Sequence, residues 1–329
     1  MIIFKDGVAR SPLDTYSQDI DIAITTELLC VSAINERVRV ISRPVISDLP
    51  PIEKRLPRPT NDTTYEYGSA IGIVDHDILV GCPGVSFNDG LHDGLVFIHN
   101  FDTGRIIDIL TDPDGTPGCR FGCSIDQDGD TVAILSSGYV NNSGGAIHIY
   151  QKSHDGFHVV NKINLPVTFV MHGLAKKVSI SGNSVIVAPN RGGVYEHMFK
   201  DAQGEQIPGG LIIGYSKLAP PIKDANCVTI SKHKNLRVTG YDEPALLDIE
   251  MLNIDKPDSR ILVQNNDIAG IDKLGSLVCG LVDDTLVLAR PQVGKGALGK
   301  DKETYVELNM FVLEKIDVEG LNLPKPLIN

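Results

Sequence analysis

Residues 121–150 read FGCSIDQDGDTVAILSSGYVNNSGGAIHIY, three short runs of apolar and polar positions separated by turn residues. The first run alternates, as a strand with one covered face does. An Asp-Gly turn follows, then the continuously apolar VAIL, the pattern of a strand covered on both faces. Gly or Pro ends that run, since neither continues a ladder well. The same succession recurs in LLCVSAINERVRVISRP (28–44), YGSAIGIVDHDILVGCP (67–83), HGLAKKVSISGNSVIVAP (172–189), NCVTISKHKNLRVTG (226–240) and LGSLVCGLVDDTLVLARP (274–291). The closing markers Pro83, Gly138, Pro189, Gly240 and Pro291 stand between 50 and 55 residues apart. A third strand is expected after a variable loop, in GLVFIHN (94–100), GAIHIYQ (145–151), GGLIIGYS (209–216) and YVELNMFVLE (305–314). A fourth is expected in GRIIDIL (104–110) and FHVVNKI (157–163). No stretch carries a sustained helical period.

Four antiparallel strands returning at this interval predict an all-β fold, a β-propeller whose four-stranded blades pack side by side. An open sheet of about twenty strands or more would curl or close. A pair of β-sandwiches, the competing all-β arrangement, leaves the regular Pro/Gly marker unexplained. Six blades are expected, five and seven being the alternatives, over residues 20–64, 65–112, 119–165, 172–222, 224–263 and 268–315. The last copy lacks a fourth strand, which residues 1–8 are expected to supply. Such closure joins the two ends of the ring in one sheet and removes an open edge. Residues 1–315 then form a single domain, and 316–329 a tail.

Phe121-Gly122-Cys123-Ser124 and Tyr67-Gly68-Ser69 open their copies, while Gly81-Cys82-Pro83, Ala188-Pro189 and Ala289-Arg290-Pro291 close theirs. In these motifs the chain resembles the FG-GAP repeat of integrin-type β-propellers over about residues 25–315. The resemblance implies a calcium ion (Ca2+) in the loop between a blade's first two strands. Asp126, Asp128 and Asp130 have the alternate spacing that lets carboxylates converge on a hard cation. Thr131 stands where the family has Gly, and no later carboxylate completes the set. A solvated turn, with Asp and Gly chosen for backbone conformation, is the other reading of these residues.

Charge and cysteine usage narrow the partners. A net charge of −12 with no compensating basic cluster excludes a phosphate-backbone partner, so no nucleic acid is expected. No apolar run approaches the roughly 18 residues of a membrane helix, and no membrane insertion is expected. MIIFKDGVAR is not a signal peptide, since Lys5 and Asp6 interrupt its apolar start. The six cysteines form no CxxC pair at zinc spacing, and Cys119 and Cys123 would lie about 13 Å apart on an extended strand. Buried free thiols fit a chain matured in a reducing cytosol. A secreted form with its signal removed is the alternative.

No catalytic constellation stands out. His148 alternates with Ile147 and Ile149 and reads as a packed, hydrogen-bonded histidine. GKGALGK (294–300) lacks the following helix that a phosphate loop requires. Inner-strand positions read as mainly apolar or small, which disfavours a lyase or hydrolase with an axial pocket. Recognition is expected on the face where the second-to-third-strand loops and the blade-to-blade connectors emerge, because rigid scaffolds place recognition on such loops. The candidate contacts are Phe87, Asn88, Asp89, His92 and Asp93, with Tyr139, Asn141, Asn142, Arg191, Tyr241 and Asp242 on neighbouring loops. The expected function is a non-enzymatic scaffold docking a protein or glycan partner, as a phage-type virion component that belongs to a larger symmetric assembly. A Ca2+-binding adhesion module is the second reading.

Overall fold

The structure is a computed structural model. It describes residues 8–12, 20–25, 27–35, 37–42, 53–59, 66–86, 93–137, 144–166, 175–189, 194–216, 225–231, 236–241, 246–251, 260–264, 278–282, 285–295 and 302–312, with side-chain burial from 20 to 212. Among these residues every regular element is a β-strand, and the strands form six four-stranded antiparallel sheets. After β1 (Val8–Pro12), blade 1 holds β2 (Ile20–Ile24), β3 (Leu28–Ala33), β4 (Arg39–Ser42) and β5 (Glu53–Arg55). Blade 2 holds β6 (Ile71–Val74), β7 (Asp77–Cys82), β8 (Leu95–Asn100) and β9 (Ile106–Leu110). Blade 3 holds β10 (Phe121–Asp128), β11 (Thr131–Ser136), β12 (Ala146–Ser153) and β13 (Gly156–Asn164). Blade 4 holds β14 (Ala175–Ser181), β15 (Ser184–Pro189), β16 (Val194–Lys200) and β17 (Gln206–Ser216). Blade 5 holds β18 (Ala225–Ser231), β19 (Leu236–Tyr241), β20 (Leu246–Met251) and β21 (Arg260–Gln264). Blade 6 combines β22 (Val278–Val282), β23 (Thr285–Lys295) and β24 (Lys302–Val312) with β1.

First strands touch in the order β2, β6, β10, β14, β18, β22 and back to β2, so the blades form a closed ring. The ring is a β-propeller.

Two expectations need correction. The closing strand, expected in residues 1–8, extends to Pro12, running from Val8 opposite Asn309 to Pro12 opposite Tyr305, while residues 1–7 lie outside the described residues. At the outer edge of a blade a strand needs only one ladder partner, so VARSP serves there and Pro12 is tolerated. In blade 4 the third strand is Val194–Lys200, and GGLIIGYS belongs to the fourth. Glu196 and His197 hid that third strand by interrupting its apolar run.

The seams between blades are the core. Ile78 and Val80 on β7 pack toward blade 1 with Leu28, Cys30, Val40 and Tyr67, whereas Leu79 packs toward blade 3 with Phe121, Val132 and Ile134. Ala133 and Leu135 pack in turn against Val178, Val185 and Val187 of blade 4. Second strands are therefore continuously apolar because both of their faces are covered. Glycine markers serve the same seam. A Cβ on Gly81 would stand 2.1 Å from the Gly122 carbonyl oxygen, so the end of one repeat packs on the start of the next with no space for a side chain.

Inner strands leave N–H groups with no ladder partner, and neighbouring blades supply acceptors. Asp21 Oδ2 accepts from Ile71 N at 3.0 Å, and the equivalent Ser124 Oγ accepts from Val178 N at 3.2 Å. Gln127 Oε1 reaches back to Ile73 N at 3.1 Å through space left by Gly72. The inner strands are mainly apolar or small, and Asp21, Ser124 and Gln127 stand among those residues because buried N–H groups require acceptors. Lys177 occupies the position in blade 4 that Asp21 holds in blade 1. These blades stand opposite in the ring, and Lys177 Nζ spans the axis to Asp21 Oδ1 at 2.8 Å.

Candidate functional site on the connector face

Tight turns such as Asp75-His76, Gly129-Asp130 and Gly182-Asn183 lie at one end of the blades. The strand ends joined by connectors between blades and by second-to-third-strand loops lie at the other. On that connector face, residues 111–120 (TDPDGTPGCR) carry the chain from β9 to β10. Asp112 folds this segment around its own side chain: Oδ2 accepts from Thr116 N at 2.9 Å and Oδ1 from Asp114 N at 3.3 Å. Asp93 straps it from blade 2. Its Oδ1 accepts from Gly118 N at 2.8 Å, and its carbonyl accepts from Phe121 N and from the Cys119 thiol, both at 3.0 Å.

Three strands of blade 3 complete the site. From β12, His148 Nε2 lies 3.3 Å from Asp112 Oδ1. Lys162 on β13 pairs with the Asp114 carboxylate. Ser136 at the end of β11, together with Cys119, Gly145 and Asn164, completes the lining of a cavity of about 50 Å3. Among the described residues, Asp112, Asp114 and His148 are the one set of three potential metal ligands whose donor atoms all lie within 4.8 Å of one another.

Electrostatics fix the protonation states. Burial opposes ionisation of Asp112, but the N–H groups of Thr116 and Asp114 and the nearby imidazole hold its pKa below the usual carboxylate value. Burial lowers His148, and Asp112 offsets part of that. Burial, reinforced by Asp112, pushes the Cys119 thiol up to about 12, so it is a protonated donor and not a thiolate nucleophile. His148 Nδ1 is buried without a hydrogen-bond partner among the described residues, and the Ser136 hydroxyl has the Cys119 thiol beside it.

His148 is held by a ring set that recurs in blade 2. Tyr67 packs against Phe97 and His99, with centroids 5.9 and 6.2 Å away. Phe121 packs against His148 and Tyr150 at 5.6 and 6.3 Å. Ladder register makes Phe97 equivalent to His148, and His99 to Tyr150.

The residues expected to form the site fare differently. Phe87, Asn88, Asp89, His92, Tyr139, Asn141, Asn142, Arg191 and Asp242 lie outside the described residues. Asp93 lies on the expected face, but its Oδ1 and carbonyl brace the connector. Tyr241, expected in a loop, is the last ladder residue of β19, opposite Ala225 and Leu246. Asp126, Asp128 and Asp130 are not brought together. Asp126 Oδ2 accepts from Ser179 Oγ at 2.6 Å and Ile180 N at 2.8 Å, and Asp128 Oδ2 accepts from Gly182 N at 2.5 Å. Two of the three therefore bind the next blade. Burial raises Asp126 to about 6, with its hydrogen bonds opposing.

Sequence reasoning missed Asp112, Asp114, Ser136 and Lys162. A signal was present: two aspartates two residues apart in a Gly/Pro-rich connector, on the face already singled out.

No family model matches the sequence, and no curated protein matches it. Among solved structures, the β-propeller domain of Cps50 (Swd1) from Myceliophteria thermophila is similar with a TM-score of 0.52 at 7% identity, covering 94% of this chain and 100% of that one. Hsv2 from Kluyvelomyces marxianus gives 0.42 at 10% identity, covering 93% and 100%. At 7% identity the likeness to the Cps50 domain is one of fold. Together with the closed ring it defines the class: a six-bladed β-propeller closed by its N-terminal strand. Among the described residues no helix is long and apolar enough to cross a membrane.

Proposed function

We propose that the protein is a non-catalytic scaffold that docks a protein partner on its connector face. The observation that carries this reading is the Lys177–Asp21 pair across the axis. An axial enzyme needs acid and base groups that converge on a cavity. Here Lys177 and Asp21 pair with each other, Asp21 also accepts from Ile71 N, and the inner-strand Asp126 and Asp128 accept from the next blade. Loops around the ring are left as the variable surface on a rigid support. Kinship with the FG-GAP group belongs to the same proposal, supported by the meeting of Gly81 with Gly122 at a blade seam.

The test is a two-face comparison. A surface library of the full chain, with substitutions on the connector face (Pro113→Arg, Pro117→Arg) and on the turn face (Asp102→Ala, Asp155→Ala), is screened against a cross-linked partner. Loss of capture by connector-face variants alone is expected. Equal loss from both faces, or turnover abolished by Lys177→Met, overturns the reading. The finer proposal, a component of a phage-type particle, draws its support from sequence alone. Neighbouring capsid, portal or tail genes are its expected signature, and a neighbourhood without them overturns it.

A further inference from the structure

We propose that Asp112, Asp114 and His148 form a binding site for a divalent transition-metal ion of the zinc class, with Ser136 bonding a water on that ion. This goes beyond the docking reading and stands independently of it. An imidazole nitrogen with two carboxylates is a donor set that such ions accept and that calcium, which takes oxygen ligands, does not favour. His148 Nε2 and Asp112 Oδ1 are already 3.3 Å apart, close to the spacing of two ligands each about 2.1 Å from a shared ion. The third donor lies within 4.8 Å of both, on a side chain that is 44% exposed, and joins them at an ion by closing about 1 Å as it leaves Lys162.

His148 itself is a second pointer to a ligand: it is 1% exposed, lines the cavity, and its Nδ1 has no hydrogen-bond partner among the described residues. Buried polar groups without a partner are uncommon. Ser136, 3% exposed on the same lining, has its hydroxyl beside the Cys119 thiol and keeps a lone pair for an ion-bound water.

Lys162 explains how the site stays neutralised when no ion is present. Its ammonium pairs with Asp114, and the side chain is 36% exposed on the outer strand of the blade. An arriving ion displaces it toward solvent, where a lysine head is at little disadvantage. Lys162 and the metal therefore compete for one carboxylate.

That competition makes the test specific. The full chain is stripped with chelator and titrated with Co2+, read by visible absorption, and with Zn2+, read by calorimetry. One ion per chain is expected, with calcium a poor substitute. Asp114→Asn, which changes a half-exposed side chain and not the core, is expected to weaken binding on the order of tenfold or more. His148→Gln is expected to do the same and to remove the imidazole contribution to the Co2+ spectrum. Lys162→Ala is expected to tighten binding, an effect in the opposite direction that a merely structural lysine would not produce. No saturable binding by millimolar metal, binding unchanged in Asp114→Asn, or binding weakened by Lys162→Ala would each overturn the proposal.

Discussion

Blades 2 and 3 carry the same three-ring set with the histidine in different places. In blade 2 the set is closed: Tyr67 is fully buried, and its hydroxyl bonds His99 Nε2 at 2.9 Å. In blade 3 the set is open. Phe121 has no hydroxyl to offer, so His148 turns to Asp112 and Tyr150 turns to the Thr111 carbonyl at 3.4 Å. Moving one polar ring two ladder positions along the third strand thus converts an internal bond into two links with the connector. The cavity lies at those links, and the comparison says why it belongs to blade 3.

The seam between these blades should give the largest effect. Gly81→Ala places a methyl 2.1 Å from a backbone oxygen, which no rotamer relieves. A loss of about 3 kcal/mol is expected from the backbone shift, measured by urea unfolding. A loss under 1 kcal/mol would mean that the seam yields readily, and the two blades would then not be held in a fixed relation.

Tyr67→Phe comes next. It removes the hydroxyl bonded to His99 Nε2 and leaves that nitrogen of a buried imidazole unsatisfied. The expected cost is about 2 kcal/mol. A cost near zero would show that blade 2 is not closed through this hydroxyl.

The ring architecture was legible from sequence because it rests on periodicity. Alternating and continuous apolar runs, punctuated by Gly and Pro, follow directly from sheets covered on one or both faces. Phe121-Gly122 and Gly81 marked the repeat, and the structure shows the seam contact that requires small residues there. The inner caps were not legible. Asp21, Ser124 and Gln127 bond N–H groups in another blade about 50 residues away, and no local pattern shows which blade lies alongside. For the same reason Asp126 and Asp128 resembled an ion loop: their spacing is a strand period, and it aims both at the next blade. His148 was expected to be packed and bonded, but its partner comes from the connector of the preceding blade.

Acid should separate the two histidines. Burial takes His99 and His197 down to about 4, well below the usual value, whereas Asp112 and Asp114 offset the same effect at His148. A lowered folded pKa means that the unfolded chain binds the proton first. Stability present above the unfolded value of about 6.5 is therefore lost as pH falls from there toward 4, at up to about 1.4 kcal/mol per unit for each such histidine. Asp126 works in the opposite direction, because a raised folded pKa lets the native state take a proton between about 6 and 4. Urea unfolding at pH 7 and pH 5 is expected to show a smaller acid loss in His197→Phe, a larger one in Asp126→Asn, and in His148→Phe a reduction smaller than that of His197→Phe. A change in His148→Phe as large as in His197→Phe would remove the electrostatic distinction between blades.

Tyr150→Phe is the smallest and most discriminating change. Tyr150 holds the register position of His99, is 3% exposed, and contacts Phe121 by its ring edge as His99 contacts Tyr67. Its hydroxyl donates over 3.4 Å, near the limit of a useful hydrogen bond, and the accepting carbonyl belongs to a connector that Asp93 already straps. Loss of that hydroxyl is expected to cost about 0.5 kcal/mol or less, roughly a quarter of the Tyr67→Phe effect, with the ring contact retained. Equal costs in the two variants would mean that position in the ladder, rather than closure of the bond, sets the worth of each hydroxyl, and that blade 3 is as closed as blade 2.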